Sequence, residues 1–366
     1  MSKFVKIGLL KNYPVSRPNA DDSGEQKDCV FGGSRRSRIS SQCLKRMVRE
    51  FWHENMDAEK VHAYHGIRTQ MILKRIINKL DFVEDEKTRV NIANAIVNTV
   101  FDKKRNSKKG KENLTSCLIF TSDKEIDSII DRVVVAMKED DFDIKNIKKI
   151  LHGKPIGITV DVAMFGRMQA TVKTHEVYAA VQVAHAMGVN ALAEEFDYFT
   201  AIDDLKIDSG EEDTTGAGHL GSLSFNSSCY YQYASICVDK LMENLDDANL
   251  TAEACAEFIS AFAMDVPKGK ANTFANNVVP ALVVVDILDT QPNSDVNAFE
   301  TPVVPNHKDK ESLTDVAIRN FFEYRQAVEE TFGNKPSHTF VCSLKDIDGK
   351  MSLQEVCEKV VDTLKG

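Results

Sequence analysis

SLSFNSSCYYQYASICV, residues 222–238, alternates apolar and polar side chains over much of its length. Leu223, Phe225, Cys229, Tyr231 and Tyr233 recur at a period of two, so the stretch reads as one long strand with a dominant face. Downstream, a helix is expected over Ala252–Met264, then the loop VPKGKANTFANN and an apolar strand, Val278–Leu288. A helix over Ser312–Phe332, a short strand over His338–Leu344 and a closing helix over Leu353–Leu364 follow. Upstream, a turn-rich acidic segment from EEFDYFTAIDD to DSGEEDTTGAGHLG predicts a long exposed loop or hairpin. Before it come a strand, Ile156–Phe165, and an amphipathic helix around Glu176–Met187. The N-terminal part opens on a strand, Phe4–Leu10, followed by the polar connection NYPVSRPNADDSGEQKD and a helix starting near Ser40. Leu44, Met47, Val48, Phe51 and Trp52 share one face of that helix, and Ser40 or Ser41 is a good N-cap.

From about Asp57 to Pro155 the texture changes. Helical patterns (Met71–Leu80, Thr88–Phe101, Asp127–Met137) alternate with Lys-rich connections such as DKKRNSKKGKEN. Strands separated by helices, with one inserted helical block, point to an α+β sheet domain carrying excursions.

With 366 residues and a net charge of −9, the chain is long enough for a sizeable core and carries no global basicity. Any polyanion site must therefore be a local patch. No apolar run reaches the length of a membrane span and Met1–Asn12 lacks the pattern of a secretory signal, so a cytoplasmic protein without membrane contact is expected. Eight scattered cysteines without a C-x-x-C pair argue against zinc ribbons and disulfide frameworks, and buried free thiols are expected. Neither a metal centre nor a cofactor is indicated. The histidines form no H-E-x-x-H pair or Ser-His-Asp signature, and His185 is expected in the core.

The basic stretch FGGSRRSRISSQCLKR, residues 31–46, stands out in this acidic chain. On the helix from Ser40, the positions Gln42, Lys45, Arg46, Arg49 and His53 recur opposite the Leu44/Phe51 stripe. Arg35, Arg36 and Arg38 lie just upstream, behind Gly32–Gly33. Glycines, arginines and a Ser-capped helix N-terminus together would make an anion seat, locally uncompensated because Asp28 is the only acid between Lys27 and Arg49. A solvated helix face is the alternative. Without a Walker loop or G-x-G-x-x-G fingerprint, a nucleotide-using enzyme with its mononucleotide at Gly32–Gly33 ranks last. Lys268 and Lys270 flank Gly269 in VPKGKANTFANN, either as a phosphate-contacting loop or a plain surface turn. The cluster Lys103, Lys104, Arg105, Lys108, Lys109 and Lys111 is a polyanion-contacting or a solubilising loop. Asp21 and Asp22 read as a turn.

Several long blocks carry a resemblance. NYP with the Asp-rich turn, FGGSRRSRISSQCLKR, DVAMFGRM, AAVQVAHA, DYFTAIDDL, GAGHLGSLSFNSSCYYQYA and VPKGKANTFANN run in order from about Asn12 to Val285. In this they resemble the CasC backbone subunits of Cascade, the type I-E CRISPR effector, within the Cas-seven superfamily. The resemblance implies an RNA-recognition-like, ferredoxin-type palm (1–56 and 156–366), an inserted helical fingers domain (57–155) and a protruding thumb loop (190–221). It implies a non-catalytic protein whose copies stack along a CRISPR guide RNA, kink it at intervals and display it for pairing with target DNA. Its partners would be the guide, neighbouring copies, target DNA, and the large, small, cap and guide-processing subunits of Cascade. Lys27, Ser40, Gln42, Lys45 and Arg49 would contact guide phosphates, with Met168 and Leu220 as apolar wedges beside a displaced base. Tyr198, Phe199 and Thr200 would meet the next subunit. Basic finger residues Lys103, Lys104, Lys108 and Lys109 would grip target DNA, and the acidic IDSGEEDTTG would face solvent or a protein neighbour. Charge reversal at Lys45 and Arg49 is expected to release the guide while leaving the fold intact. The competing enzyme reading is a metal-dependent target-RNA nuclease like type III backbones, with Asp22 as its acid.

Overall fold

The computed structural model describes residues 2–103, 113–138, 142–169, 172, 175–201 and 219–366. Its first strand, β1 (Phe4–Ser16), runs six residues past the expected end. Tyr13 is buried, and the ladder continues to Ser16 after an irregularity between Tyr13 and Ser16.

Next comes a hairpin that was not anticipated, β2 (Asp28–Phe31) and β3 (Ser34–Ile39). Gly32 and Gly33 have φ of +57° and +75°, the left-handed conformation that a two-residue hairpin turn needs at both central positions. Gly32 also has no room for a side chain, because a Cβ there would lie 1.8 Å from the Glu300 carbonyl oxygen. The helix α1 (Ser41–Asn55) then starts where expected. Ser40 caps it by accepting from the Cys43 N–H, and Leu44, Met47, Val48 and Trp52 are buried.

The helical block holds α2 (Ala58–Tyr64), the ribbon β4 (Ile67–Thr69) with β5 (Ile119–Thr121), and α3 (Ile72–Lys79), α4 (Glu86–Val100) and α5 (Asp123–Met137). α5 begins four residues before the expected Asp127, because Ser122 caps it and Asp123 and Glu125 suit its first turn. Ile76, Ile92, Ile96, Val97, Phe101, Ile126 and Val133 give this block a core of its own.

Two expectations in the middle of the chain fail. The apolar run 156–165 is a short helix, α7 (Val160–Phe165), following the four-residue α6 (Ile147–Ile150); Gly157 and Gly166, both at positive φ, bracket it and prevent a continuous strand. The stretch 176–187 forms β6 (Val181–Val183) and β7 (Ala186–Gly188) in place of a helix. Short apolar runs are ambiguous in periodicity, and here pairing with the long strand overrides the helical propensity of its alanines. His185 is accordingly exposed instead of buried.

That long strand is β9 (His219–Cys237), which organises the sheet. Its first third pairs with β8 (Glu195–Ala201) as a two-stranded ribbon. Its remainder pairs with β1 on one edge and with β6 and β7 on the other. With β10 (Leu282–Leu288) and β11 (His338–Ser343), the described order is β11-β10-β1-β9-β7-β3-β2, all antiparallel. The expected dominant face of β9 is two buried faces. Tyr230, Ala234 and Ile236 pack under α1, α9 (Ala248–Met264, preceded by α8, Val238–Leu245) and α12 (Leu353–Lys365). Cys229, Tyr231 and Tyr233 pack under α11 (Leu313–Phe332, preceded by the one-turn α10, Ala271–Phe274). Each fully buried apolar side chain contributes about 1.5–3 kcal/mol, so covering both faces anchors this strand most firmly. Of the cysteines, all unpaired, only Cys229 and Cys255 are buried; Cys117 is exposed and the others lie between.

Candidate nucleic-acid interface

α1 presents Gln42, Lys45 and Arg49 on the side away from its buried stripe. Gln42 is exposed and Lys45 half-buried, with its ammonium 5.9 Å from the centre of the Phe165 ring. Burial lowers the Lys45 pKa, and the nearby Arg68 guanidinium lowers it further. Arg68, on β4, lies 4.7 Å over the Phe120 ring, and burial followed by Arg49 holds its pKa down. Lys27, half-buried beside β2, lies close enough to Cys43 at the start of α1 to act on its thiol and adds a third cation at that end of the helix. None of Lys27, Lys45 and Arg68 has a carboxylate partner among the described residues. Lys45 and Arg68 repel each other and are partly desolvated, only partly offset at Arg68 by Asp161, so a bound anion would relieve both penalties.

Arg68 escaped the sequence reading. It sits in a three-residue strand with no motif around it, and only the β4–β5 pairing brings it beside α1.

Arg49 has an internal role. Only 12% of its side chain is exposed, and it donates from Nε to Asp161 Oδ2 at 2.7 Å and from Nη2 to the Gly66 carbonyl at 2.7 Å. Asp161 is buried and also accepts from Gly66 N and Thr159 Oγ1. Reversing Arg49 would leave a buried carboxylate facing another, so the fold would not survive intact as expected.

The anion seat is likewise corrected. Its glycines and the α1 N-terminus stand at opposite ends of β3. Arg36 is fully buried, donating to the carbonyls of Gly188, Val189, Phe299 and Glu300 at 2.8–3.1 Å, and is closed to any ligand. Arg35 is exposed but compensated by Asp28 and, at 4.0 Å, by Glu194. Arg38 donates to the Asp28 carbonyl and, at 2.9 Å, to His185 Nδ1, which therefore accepts. Ser40 spends its hydroxyl on the helix cap. Lys268 pairs with Glu54, and Lys270 is exposed at a left-handed φ of +52°. Their loop lies against the backbone of Arg17 and Pro18, where a Cβ on Gly269 would not fit.

Met168 is 92% exposed on the loop after α7. On the β8–β9 ribbon, Tyr198 is 79% and Phe199 47% exposed, and Thr200 is exposed too. Phe199 lies across Gly221, which leaves no space for a Cβ there. Leu220 pairs with Thr200 in the ladder. Lys103 is exposed; Lys104, Lys108, Lys109 and the acidic 207–216 lie outside the described residues. Asp21 holds its turn by accepting from Ser23 and Glu25, and Asp22 is exposed. Among the described residues no three His, Cys, Asp or Glu side chains gather as a metal site, and no helix is long and apolar enough to cross a membrane.

Two histidines near this surface carry a pH dependence. Burial depresses the pKa of His65, stacked 4.8 Å from His53, and that of His175 below the usual 6.5, with Arg49 and Arg167 respectively adding to the effect. The unfolded chain then binds protons that the folded chain refuses, so stability is full above pH 6.5 and falls as pH drops through it. The urea midpoint should decrease from pH 7 to pH 5, and His65→Gln with His175→Gln should flatten that decrease; an unchanged slope in the double variant would remove these histidines as its source.

No curated protein matches the chain. Among solved structures, a chain of a "CRISPR RNA-guided surveillance complex, pre-nicking" superposes with a TM-score of 0.79 and 28% identity, over 99% of this chain and 100% of that one. A second, from a "CRISPR RNA-guided surveillance complex", gives a TM-score of 0.69 and 25% identity over 98% and 99%. The family model of CT1975-like proteins matches residues 5–365, nearly the whole length, and by that match the chain belongs to the CT1975-like (Cas_CT1975) family.

Proposed function

We propose that this chain is a guide-RNA-binding backbone subunit of a type I-E CRISPR Cascade complex, without catalytic activity of its own. Copies line up along the guide, kink it at intervals and display the bases between kinks to target DNA. The carrying observation is the set Lys27, Lys45 and Arg68, none in an ion pair among the described residues of this acidic chain, with Met168 exposed on the loop that follows the Phe165 ring under Lys45. Similarity to chains of guided surveillance complexes supports the same reading. The row takes RNA phosphates, Gln42 adds a neutral donor, and Met168 stands beside a displaced base, with Leu220 from the ribbon. The sheet domain (1–56 and 156–366) acts as palm, 57–155 as fingers and 190–221 as thumb, whose Tyr198, Phe199 and Thr200 meet the next copy.

Co-expression with the other Cascade subunits and a repeat-spacer RNA, followed by native mass spectrometry, tests this. A complex with several copies on one processed guide is expected; a nucleic-acid-free monomer beside folded partners would refute it. Metal-dependent cutting of a matched RNA, abolished by Asp22→Ala, would replace it with the nuclease reading.

A further inference from the structure

Arg167 immediately precedes the exposed Met168 and is itself buried. Its guanidinium makes five hydrogen bonds. Nη1 donates to Glu125 Oε2 at 2.6 Å and Nη2 to Glu125 Oε1 at 2.8 Å, the planar two-point pairing special to arginine and carboxylate. Nη1 also donates to the Phe120 carbonyl, and Nε and Nη2 donate to that of His175. Glu125 is equally buried, and accepts from Thr121 Oγ1 at 2.6 Å.

The backbone around Arg167 is held as firmly. Its N–H and C=O exchange hydrogen bonds with Val177 at 2.8 and 3.0 Å. Gly166 takes a φ of +77° and approaches Val177 and Ala179 so closely that no Cβ fits. The base of this loop is thus fixed in space, and Met168 projects from it into solvent.

Phe120 joins this loop to the cationic row. Its carbonyl is held by Arg167, while its ring lies under Arg49 and Arg68 at 4.8 and 4.7 Å. Glu125 belongs to α5 of the helical block and Arg167 to the sheet domain, so one ion pair bridges the two.

From this geometry we infer that Glu125 and Arg167 are a positioning pair that sets Met168 at a fixed place relative to the Lys45/Arg68 row. The pair thereby decides where along a bound single strand a base is unstacked. This rests on the proposed reading of the row as an RNA-phosphate site and of Met168 as a wedge. Phosphate contacts set affinity, whereas the wedge sets local base geometry, so the two are separable.

The test uses the full-length chain and short single-stranded RNAs carrying one 2-aminopurine, which brightens when unstacked. Glu125→Gln and Arg167→Lys each keep the volume and remove the two-point charge pairing. Both should dim the bound-state fluorescence about fivefold, as Met168→Ala should, while RNA affinity stays within about twofold because the phosphate contacts are untouched. Fluorescence as bright as in the unaltered protein, or dimming in proportion to lost affinity, would overturn the inference and leave the pair a purely structural one. So would failure of both variants to fold by urea titration; if one folds, that variant decides. If the unaltered protein binds no RNA, the reading of the row fails first and takes this inference with it.

Discussion

Exchange of Arg36 for alanine should destabilise the protein by about 3 kcal/mol, since the buried Gly188 and Phe299 carbonyls and the part-buried Glu300 carbonyl lose this donor, at roughly 1–3 kcal/mol for each buried group left unpaired, while Val189 keeps the Val303 N–H. Arg36 lies on β3, and the carbonyls it gathers come from β7, the residue after it, and the segment at Phe299–Glu300. One guanidinium therefore joins the hairpin edge of the sheet to a loop more than 260 positions along the chain. Burial pulls its pKa down, yet an arginine stays charged, so its solvation is supplied wholly by those backbone oxygens. Arg36→Lys should recover part of the loss, because an ammonium can serve three of the four acceptors at most. Urea unfolding followed by circular dichroism checks this: a midpoint for Arg36→Ala close to that of the parent would mean that water reaches the carbonyls and that the clamp contributes little.

The joint reversal Lys45→Glu with Arg68→Glu should weaken single-stranded RNA binding on the order of 100-fold, as two phosphate contacts become repulsive. The slope of log affinity against log salt should also become shallower, by about 0.7 for each contact removed from a single strand. Among the described residues neither side chain forms an ion pair, although Asp161 lies within the field of Arg68, so the thermal midpoint should fall only modestly, far less than on reversal of Arg49. Arg49 is left out by design, since its loss would strip the buried Asp161 of its ion pair and leave that carboxylate to Gly66 N and Thr159 Oγ1 alone, confusing unfolding with lost binding. Binding titrations at several salt concentrations give both quantities. An unchanged slope with unchanged affinity would remove the row from the interface, and a fall in affinity with an unchanged slope would assign it a role other than neutralising phosphate.

Much of the architecture was legible locally. The amphipathic stripe of α1 and its serine cap place the start of that helix to within a residue, because capping and periodicity act within a few positions. The alternation of β9 announced a long strand, though which of its faces would be covered depended on α11, nearly a hundred residues downstream. The hairpin β2–β3 and the two short strands β6 and β7 are not legible in the sequence. In the first, a glycine turn suited to a hairpin looked like a ligand cradle. In the second, alanines favoured helix until a neighbouring strand supplied hydrogen bonds.

The candidate interface divides along the same line. Its basic stretch and the row Gln42, Lys45 and Arg49 could be found from charge and helical spacing, since both are properties of adjacent turns. Arg36, Arg38, Lys45 and Arg49 look alike in the sequence, but one is buried under carbonyls, two are tied to neighbours and one remains unpaired. Arg68 joins that last residue from a strand with no signal of its own. By itself the sequence determined where charge and apolar periodicity lie along the chain, because those depend on local geometry. Only the tertiary structure decided which cations are consumed inside the fold and which stay available to an anion, because their partners come from segments far apart in the chain.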